Sequence, residues 1–394
     1  MQRLSQSPTD PAFVQNPYPF YDRARAAGRV VWWEDYGMPC VFGHAAANQI
    51  LRDRRFGREI PVEKQRAIAP HTAPFYAIEA HSMLELEPPR HTRLRSLVLR
   101  AFTARRIEGM GPEIEALARK LIAAFPAEGP FDLLPTFAEV IPVVVIARLL
   151  GVPEAMKDQL LAWSHAMVGM YQAGRTRAME DAAATASAEF AAFLRAYIDQ
   201  RRRAPGDDLI TSLIAAEEAG EKLSTDELIS TCILLLNAGH EATVHAIGNG
   251  VAAVLSQGGP KDWLSPDKRE GTVEEILRWD PPLHMFTRWA YERIEVMGHV
   301  FEPGDQVGVM LAAAARDPAL IEAPGRFDPG RPVKTHLSFG AGLHFCVGAP
   351  LARLEMLRAL PLLFELCPGL RLDGRPVYAG TYHFHALSRL MVRR

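Results

Sequence analysis

The feature that most restricts how this chain can fold is an unbroken helical pattern from Ser224 to about Ser256. It opens on Ser224-Thr225-Asp226-Glu227, where the serine and the glutamate three residues later match a capping box. At 1.5 Å per residue the helix would be roughly 50 Å long, and few helices of single domains reach that length. Its middle reads Leu234-Leu235-Leu236-Asn237-Ala238-Gly239-His240-Glu241-Ala242-Thr243, so an apolar helix turns polar at its centre. A glycine there costs up to about 1 kcal/mol relative to alanine, and a buried glutamate costs more unless paired. A kink with a solvated notch accounts for these residues without any function.

The rest of the 394 residues is also mostly helical in pattern. Apolar residues recur at three- and four-residue spacing over 112–125, 155–171 and 178–203, and strand-like runs are short: 30–33, 295–297, 306–311 and 390–392. No fixed-period repeat and no Ser/Gly-rich linker divides the chain. One mainly α domain with small β-sheets, spanning 1–394, is the expectation. Lys+Arg 44 against Asp+Glu 46 gives a net charge of −2, which asks for neither nucleic acid nor an acidic membrane. The longest apolar stretch, Val140 to Leu150, is interrupted by Arg148 and falls short of the roughly 20 residues a bilayer needs. Met1 to Pro11 is polar, without the apolar core of a signal peptide, so a cytoplasmic location is expected.

Two motif-like strings fail on geometry. His240-Glu241 with His245 suggests a zinc-protease pattern, but the histidines are five apart, about 140° around a helix, and do not easily share one metal. Gly248-Asn249-Gly250 resembles a dinucleotide fingerprint, yet that motif follows a strand and this string lies within a helix. The four cysteines, Cys40, Cys232, Cys346 and Cys367, form no CxxC pair and no disulfide framework. Any cysteine chemistry must come from one thiol acting alone.

The strongest constellation is Phe339-Gly340-Ala341-Gly342-Leu343-His344-Phe345-Cys346-Val347-Gly348, followed by a helix from Ala349 with Pro350 in its first turn. The helix should reach at least Leu360, where Pro361 ends or kinks it. Cys346 thus sits at a helix N-terminus, whose free N–H groups and dipole favour thiolate. Such a thiolate is either a nucleophile, with His344 as the only local base, or a metal ligand.

The pattern FGxGxHxCxG from Phe339 to Gly348 resembles the haem-ligand loop of the cytochrome P450 monooxygenases, and the resemblance extends over nearly the whole chain. It implies haem b as cofactor, with Cys346 as the thiolate ligand of the iron. Phe339, Gly340, Gly348 and Ala238 would contact the haem, with Phe339 packing beside the sulfur. Ala238, Gly239 and Glu241 match the AGxE signature of the helix crossing the other face. Glu275 and Arg278 match ExxR, with Arg331 as third member of a structural ion network. Pro88-Pro89-Arg90-His91-Thr92-Arg93-Leu94-Arg95 resembles the start of a helix on the haem flank, so His91 and Arg95, with Arg288 and His344, would bind the propionates. Arg93, Arg100, Arg105, Arg106, Arg353 and Arg358 would form a basic face for an iron–sulfur ferredoxin or flavin-type electron donor.

The chain departs from the family after the acid. Glu241 is followed by Ala242 where many members have threonine, and the hydroxyl comes at Thr243, about 100° further round the helix. A substrate hydroxyl or an ordered water would then complete the proton relay. Family position points to a hydrophobic pocket of Phe75, Tyr76, Met167, Met170, Tyr171, Leu234, Leu235, Ala238, Ala242, Leu283, Met285, Phe286 and Tyr382 to Phe384. His284 and His383 would be polar contacts. The reaction implied is insertion of one oxygen atom from O₂ into a hydrophobic small molecule. The alternatives are a peroxide-dependent peroxygenase and a non-catalytic haem-binding accessory protein.

Overall fold

The long helical pattern forms as read. In the computed structural model, which describes all residues except 173, 219–222, 259–261, 333–335 and 383, one helix runs Thr225–Ser256 with Ser224 as its N-cap. The capping box closes both ways: the Glu227 amide donates to Ser224 Oγ at 3.1 Å and the Ser224 amide to Glu227 Oε2 at 2.9 Å. Most of its side chains are buried, on all faces, as expected of a helix through a core rather than along a surface. The helices Val140–Leu150, Lys157–Val168, Arg177–Arg203, Arg269–Trp279 and Ala349–Leu366 pack around it. Val140–Leu150 is apolar at every position except Arg148 and is buried almost throughout. Its short length reflects a place inside the protein, and no described helix is long and apolar enough to cross a membrane.

Gly239 is explained by that packing. A Cβ there would stand 2.8 Å from Ile146 Cγ1, so the helix Val140–Leu150 approaches as closely as it does only over a glycine. Helical structure continues unbroken through the segment. Pro361 likewise does not end its helix, which carries on to Leu366.

Beside the helices lies a six-stranded sheet in the order Gln2–Leu4, Val31–Trp33, Met38–Val41, Gln306–Met310, Met285–Ala290, Phe56–Gly57. Met38–Val41 pairs parallel to Gln306–Met310, which pairs antiparallel to Met285–Ala290 in the register Phe286 to Val309. This carries Leu283 to Thr287, chain-distant from the long helix, to the edge of the same interior. The N-terminal segment closes the sheet with an aromatic cluster of Phe13, Phe20, Tyr21, Trp33 and Tyr382.

The three charged residues of the expected ion network meet. Arg278 donates to both Glu275 oxygens at 2.7 Å, and Arg331 Nε lies 3.7 Å from Glu275 Oε2. The Arg278 guanidinium also donates to the carbonyls of Ala315 and Pro324 at 3.2 and 2.9 Å, and Glu275 Oε1 accepts from the Asp328 amide at 2.7 Å. The pair is therefore fully hydrogen-bonded, which burial of two charges demands. It holds the segment before the cysteine loop against the helix Arg269–Trp279.

Candidate active site

The interior between the long helix and the cysteine loop encloses a cavity of about 440 Å³. Phe339, Cys346, Val347 and Gly348 line it from the loop, and Leu234, Leu235, Ala238, Gly239, Glu241, Ala242 and Thr243 from the long helix. Two segments more than 90 residues apart thus face one space. Gly342 lets the loop sit where it does: at φ +70°, a Cβ would lie 2.2 Å from the Leu51 carbonyl oxygen, so only glycine fits against the helix His44–Arg52.

Cys346 is half-buried, with its amide donating to the Phe339 carbonyl at 3.0 Å. The expected depression of its pKa is not what the bare protein shows. Burial pushes the thiol up, against the Gly348 and Ala349 amides and the charges of Arg95 and Arg353, which pull it down. The helix terminus is real, but in an apolar setting desolvation of the anion outweighs it. A metal ion at the sulfur would reverse that balance.

Along one flank, His91 and Arg95 of the helix Arg90–Ala101 line the cavity together with Arg58 and His344. The His91 and His344 rings stand 4.4 Å apart. His344 Nε2 is 2.9 Å from Glu87 Oε1, and Arg95 donates to the Phe345 carbonyl at 2.7 Å. Burial and the neighbouring His344 and Arg95 push His91 down to about 4. Arg288 is buried one layer behind, donating to the Thr287 carbonyl at 2.8 Å. Burial and Arg58 lower it to about 10. Arg288 does not line the cavity itself, whereas Met285, Phe286 and Thr287 before it do. Arg58, which the sequence reading missed, takes the lining position.

Glu241 is buried, and its carboxylate is ringed by imidazoles. His165 and His240 Nε2 are each 3.4 Å from Oε1, His245 Nε2 is 3.8 Å from Oε2, and Ser164 Oγ donates to Oε1 at 3.1 Å. Burial works to raise its pKa, but the three histidines outweigh it and hold the carboxyl below the usual range. His245 itself is pushed down to about 4 by burial, against the pull of Glu241. Thr243 Oγ1 reaches back to the Gly239 carbonyl at 3.4 Å.

The apolar wall contains Phe75, Met167, Tyr171, Leu283, Met285, Phe286 and Phe384. Five expected contacts are displaced. Tyr76 follows Phe75 on a helix, hence about 100° round, and packs against the core. The chain tightens to a 3₁₀ turn at Gly169–Tyr171 that sends Tyr171 to the cavity and buries Met170. Gly340 lies behind the Phe286 ring rather than on the wall. Tyr382 belongs to the aromatic cluster beyond the strands. His284 is fully buried, bonded to Tyr21 through Nδ1 at 2.8 Å and facing Asp280, so it is not a cavity contact; His383 lies outside the described residues. Among polar lining groups the sequence reading missed are Asn237, whose Oδ1 has no described partner, and Glu79, which burial and Glu85 push up to about 8. Only contact with the cavity, not residue type, distinguishes them from ordinary helix-surface residues.

The expected basic face is largely neutralised. Arg93 pairs with Glu227, Arg106 with Asp207, Arg353 with Glu274 and Arg358 with Glu115. Arg105 is exposed. Arg100 lines a shallow surface depression with Leu99 and Leu343. Near it Leu99 and Phe345 are among the few exposed large apolar side chains.

The residues present fit a haem. His91 Nδ1 is buried with no described hydrogen-bond partner, and Arg58, Arg95 and Arg288 concentrate positive charge on one flank of an otherwise apolar cavity that holds one thiol. A planar apolar group with two carboxylates and a thiolate-seeking metal matches that set.

A family model described as Cytochrome P450 matches residues 270–367. The chain is 39% identical over 373 residues to the cytochrome P450 monooxygenase PikC of Streptomyces venezuelae, covering 92% of this chain and 87% of that one. It is 36% identical to the vitamin D(3) 25-hydroxylase of Pseudonocardia autotrophica, covering 96% and 94% of the two chains. Among solved structures, P450BioI in complex with an acyl carrier protein superposes with a TM-score of 0.91 at 33% identity, over 97% of this chain and 99% of that one.

Proposed function

This chain belongs to the cytochrome P450 family and is a haem-binding monooxygenase, and from that premise we propose that Cys346 is the iron ligand and that the substrate is a hydrophobic small molecule. Haem held by a thiolate supplies activation of dioxygen and delivery of one of its atoms to the substrate. The observation that carries the assignment is that Cys346 and the Ala238–Thr243 segment line one cavity.

Each remaining role falls to a residue in place for it. The Gly348 and Ala349 amides, with Arg95 and Arg353, offset negative charge on the sulfur. His91, Arg95 and Arg58 bind the propionates, and His344, steadied by Glu87, adds a donor at the same flank. Arg288 supports them from behind. Glu241 holds and passes protons, because it is kept ionised and lies between the cavity and the exposed His165. Thr243 spends its hydroxyl on the Gly239 carbonyl, and Ala242 has none. A substrate hydroxyl or an ordered water therefore completes the relay.

Phe75, Leu235, Ala238, Leu283, Met285, Phe286 and Phe384 form the substrate wall, with Asn237 as its polar handle. The vitamin D(3) 25-hydroxylase among the relatives is named for a hydroxylation, the reaction this wall suits. A ferredoxin-type donor docks over Leu99, Arg100, Arg105 and Phe345, where exposed apolar and basic groups adjoin the cysteine loop.

The test is the reduced, carbon monoxide-bound spectrum of the wild type and of Cys346→Ser, followed by turnover with a surrogate ferredoxin system. A thiolate-type Soret shift in the wild type alone is expected; the same shift in both proteins overturns the ligand assignment. Ala242→Thr should improve coupling of reductant to product for substrates without polar groups. Full coupling of the wild type with such a substrate overturns the substrate-assisted version of the relay and leaves the ordered water as its hydroxyl.

A further inference from the structure

The cluster on the far side of Glu241 has the makings of a second metal site. His240 Nδ1 lies 2.7 Å from the Leu236 carbonyl. That oxygen only accepts, so Nδ1 carries the proton and Nε2 of the neutral ring is a bare lone pair. Nε2 is buried, has no described hydrogen-bond partner, and faces Glu241 Oε1 at 3.4 Å. A proton on Nε2 or a metal ion lets these two groups face each other, and a third ligand at the same spacing points to the metal.

A third ligand comes from another helix. His165 Nε2 is also 3.4 Å from Glu241 Oε1, and all three ligand atoms lie within 4.8 Å of one another. Two ligands on one tetrahedral centre at about 2.0–2.1 Å are about 3.4 Å apart, which is the spacing found on both edges meeting at Oε1. His165 has a side chain 58% exposed, so it supplies both an entry path and room to close the remaining edge. The supporting bonds are those of metal sites: the Leu236 carbonyl orients one imidazole and Ser164 Oγ donates to the ligating carboxylate at 3.1 Å.

We propose that His165, His240 and Glu241 bind a divalent transition-metal ion, with Zn²⁺ the best match to two imidazoles and a carboxylate leaving one position open. The spacing of His240 and His245 ruled out a metal on one helix alone; the tertiary partner His165 removes that obstacle, while His245 faces the other oxygen, Oε2. The buried Asp280–His284–His385 cluster is different. His385 is engaged by Asp280 and the Val14 carbonyl, and His284 by Tyr21. An ion at Glu241 takes the carboxylate out of proton transfer, so zinc becomes a reversible inhibitor; this consequence, unlike binding itself, rests on the role proposed for Glu241.

The experiment is calorimetric titration of tag-free holoenzyme with ZnCl₂, with X-ray absorption at the zinc edge on the loaded protein. One ion per chain and a first shell of nitrogen and oxygen without sulfur are expected. His165→Ala, on an exposed side chain, and His240→Gln should each weaken binding at least about tenfold, whereas His284→Gln should leave it within about twofold of wild type. A sulfur shell, or unchanged affinity in His165→Ala, overturns the site. In turnover assays, zinc should suppress the wild type and spare His165→Ala. Specific binding without suppression overturns the proton role of Glu241 and leaves the metal site standing; suppression that persists in His165→Ala assigns the inhibition elsewhere and overturns the link between them.

Discussion

Arg95 donates from its guanidinium to the Phe345 carbonyl at 2.7 Å, joining the helix Arg90–Ala101 to the residue before the cavity cysteine. One side chain thus serves both the flank and the floor of the haem site. A charge-assisted hydrogen bond contributes about 1.5–3 kcal/mol when shielded, and less at this half-exposed position. Arg95→Leu should therefore speed haem loss about three- to tenfold, measured by transfer to excess apo-globin. An unchanged rate would show that Arg95 holds neither loop nor propionate.

Gly342→Ala should be the most damaging glycine substitution in the cysteine loop. The new Cβ meets the Leu51 carbonyl oxygen at 2.2 Å and Arg52 Cα at 3.0 Å, both backbone atoms, at φ +70°. The left-handed conformation alone costs about 1–2 kcal/mol, and the clash adds to it by forcing the loop off the helix His44–Arg52. Gly374→Ala, at φ +107° with no described atom within 4 Å, carries only the conformational part. Thermal melts of both holo variants should rank them in that order.

Breaking the Glu275–Arg278 pair strands a buried charge. Loss of one partner from such a pair destabilises by about 3–5 kcal/mol, so Arg278→Leu should yield little folded holoprotein. Arg331→Leu removes a more distant partner, 3.7 Å from Glu275, and should fold with a lowered melting temperature. Equal yields of the two variants would contradict this ranking.

His91 makes the apoprotein acid-sensitive. Its folded pKa of about 4 lies below the unfolded value of about 6.5. Between those values the unfolded chain binds more protons, so stability is complete above about pH 6.5 and falls as pH drops toward 4, by up to ~3 kcal/mol. A propionate beside the ring favours imidazolium, so proton uptake at His91 adds to haem affinity as pH falls from 7 toward 5, against the proton that the Cys346 thiol releases on becoming the iron ligand. Haem titrations of apo wild type and His91→Gln at several pH values test this: the variant should lose affinity more steeply than wild type as pH falls, and parallel slopes would exclude His91 from the propionate site.

Glu355 is fully buried with neither carboxylate oxygen partnered among the described residues, and burial raises its pKa well above the usual value. A raised folded pKa gives stability that is complete below the unfolded value of about 4.3 and declines as pH rises. Glu355→Gln should therefore raise the melting temperature at pH 8 and leave it nearly unchanged at pH 4. A melting temperature lowered at both pH values would show that the carboxylate has a partner in solution.

By itself the amino-acid sequence determined the elements whose cause is local: the capped long helix, the helix after Cys346, and the loop motif with the Glu275–Arg278 pair. Periodicity, caps and motif spacing act over a few residues, and they carry through to the fold. Tertiary structure decided what depends on several distant segments at once. It replaced Arg288 with Arg58 on the cavity wall, turned Tyr76 and Met170 into the core, and let burial override the helix terminus at Cys346. It also gave Gly239 its reason in Ile146 and set His165 beside Glu241. Side-chain direction and desolvation are properties of what packs against a residue, and that neighbour is rarely close in sequence.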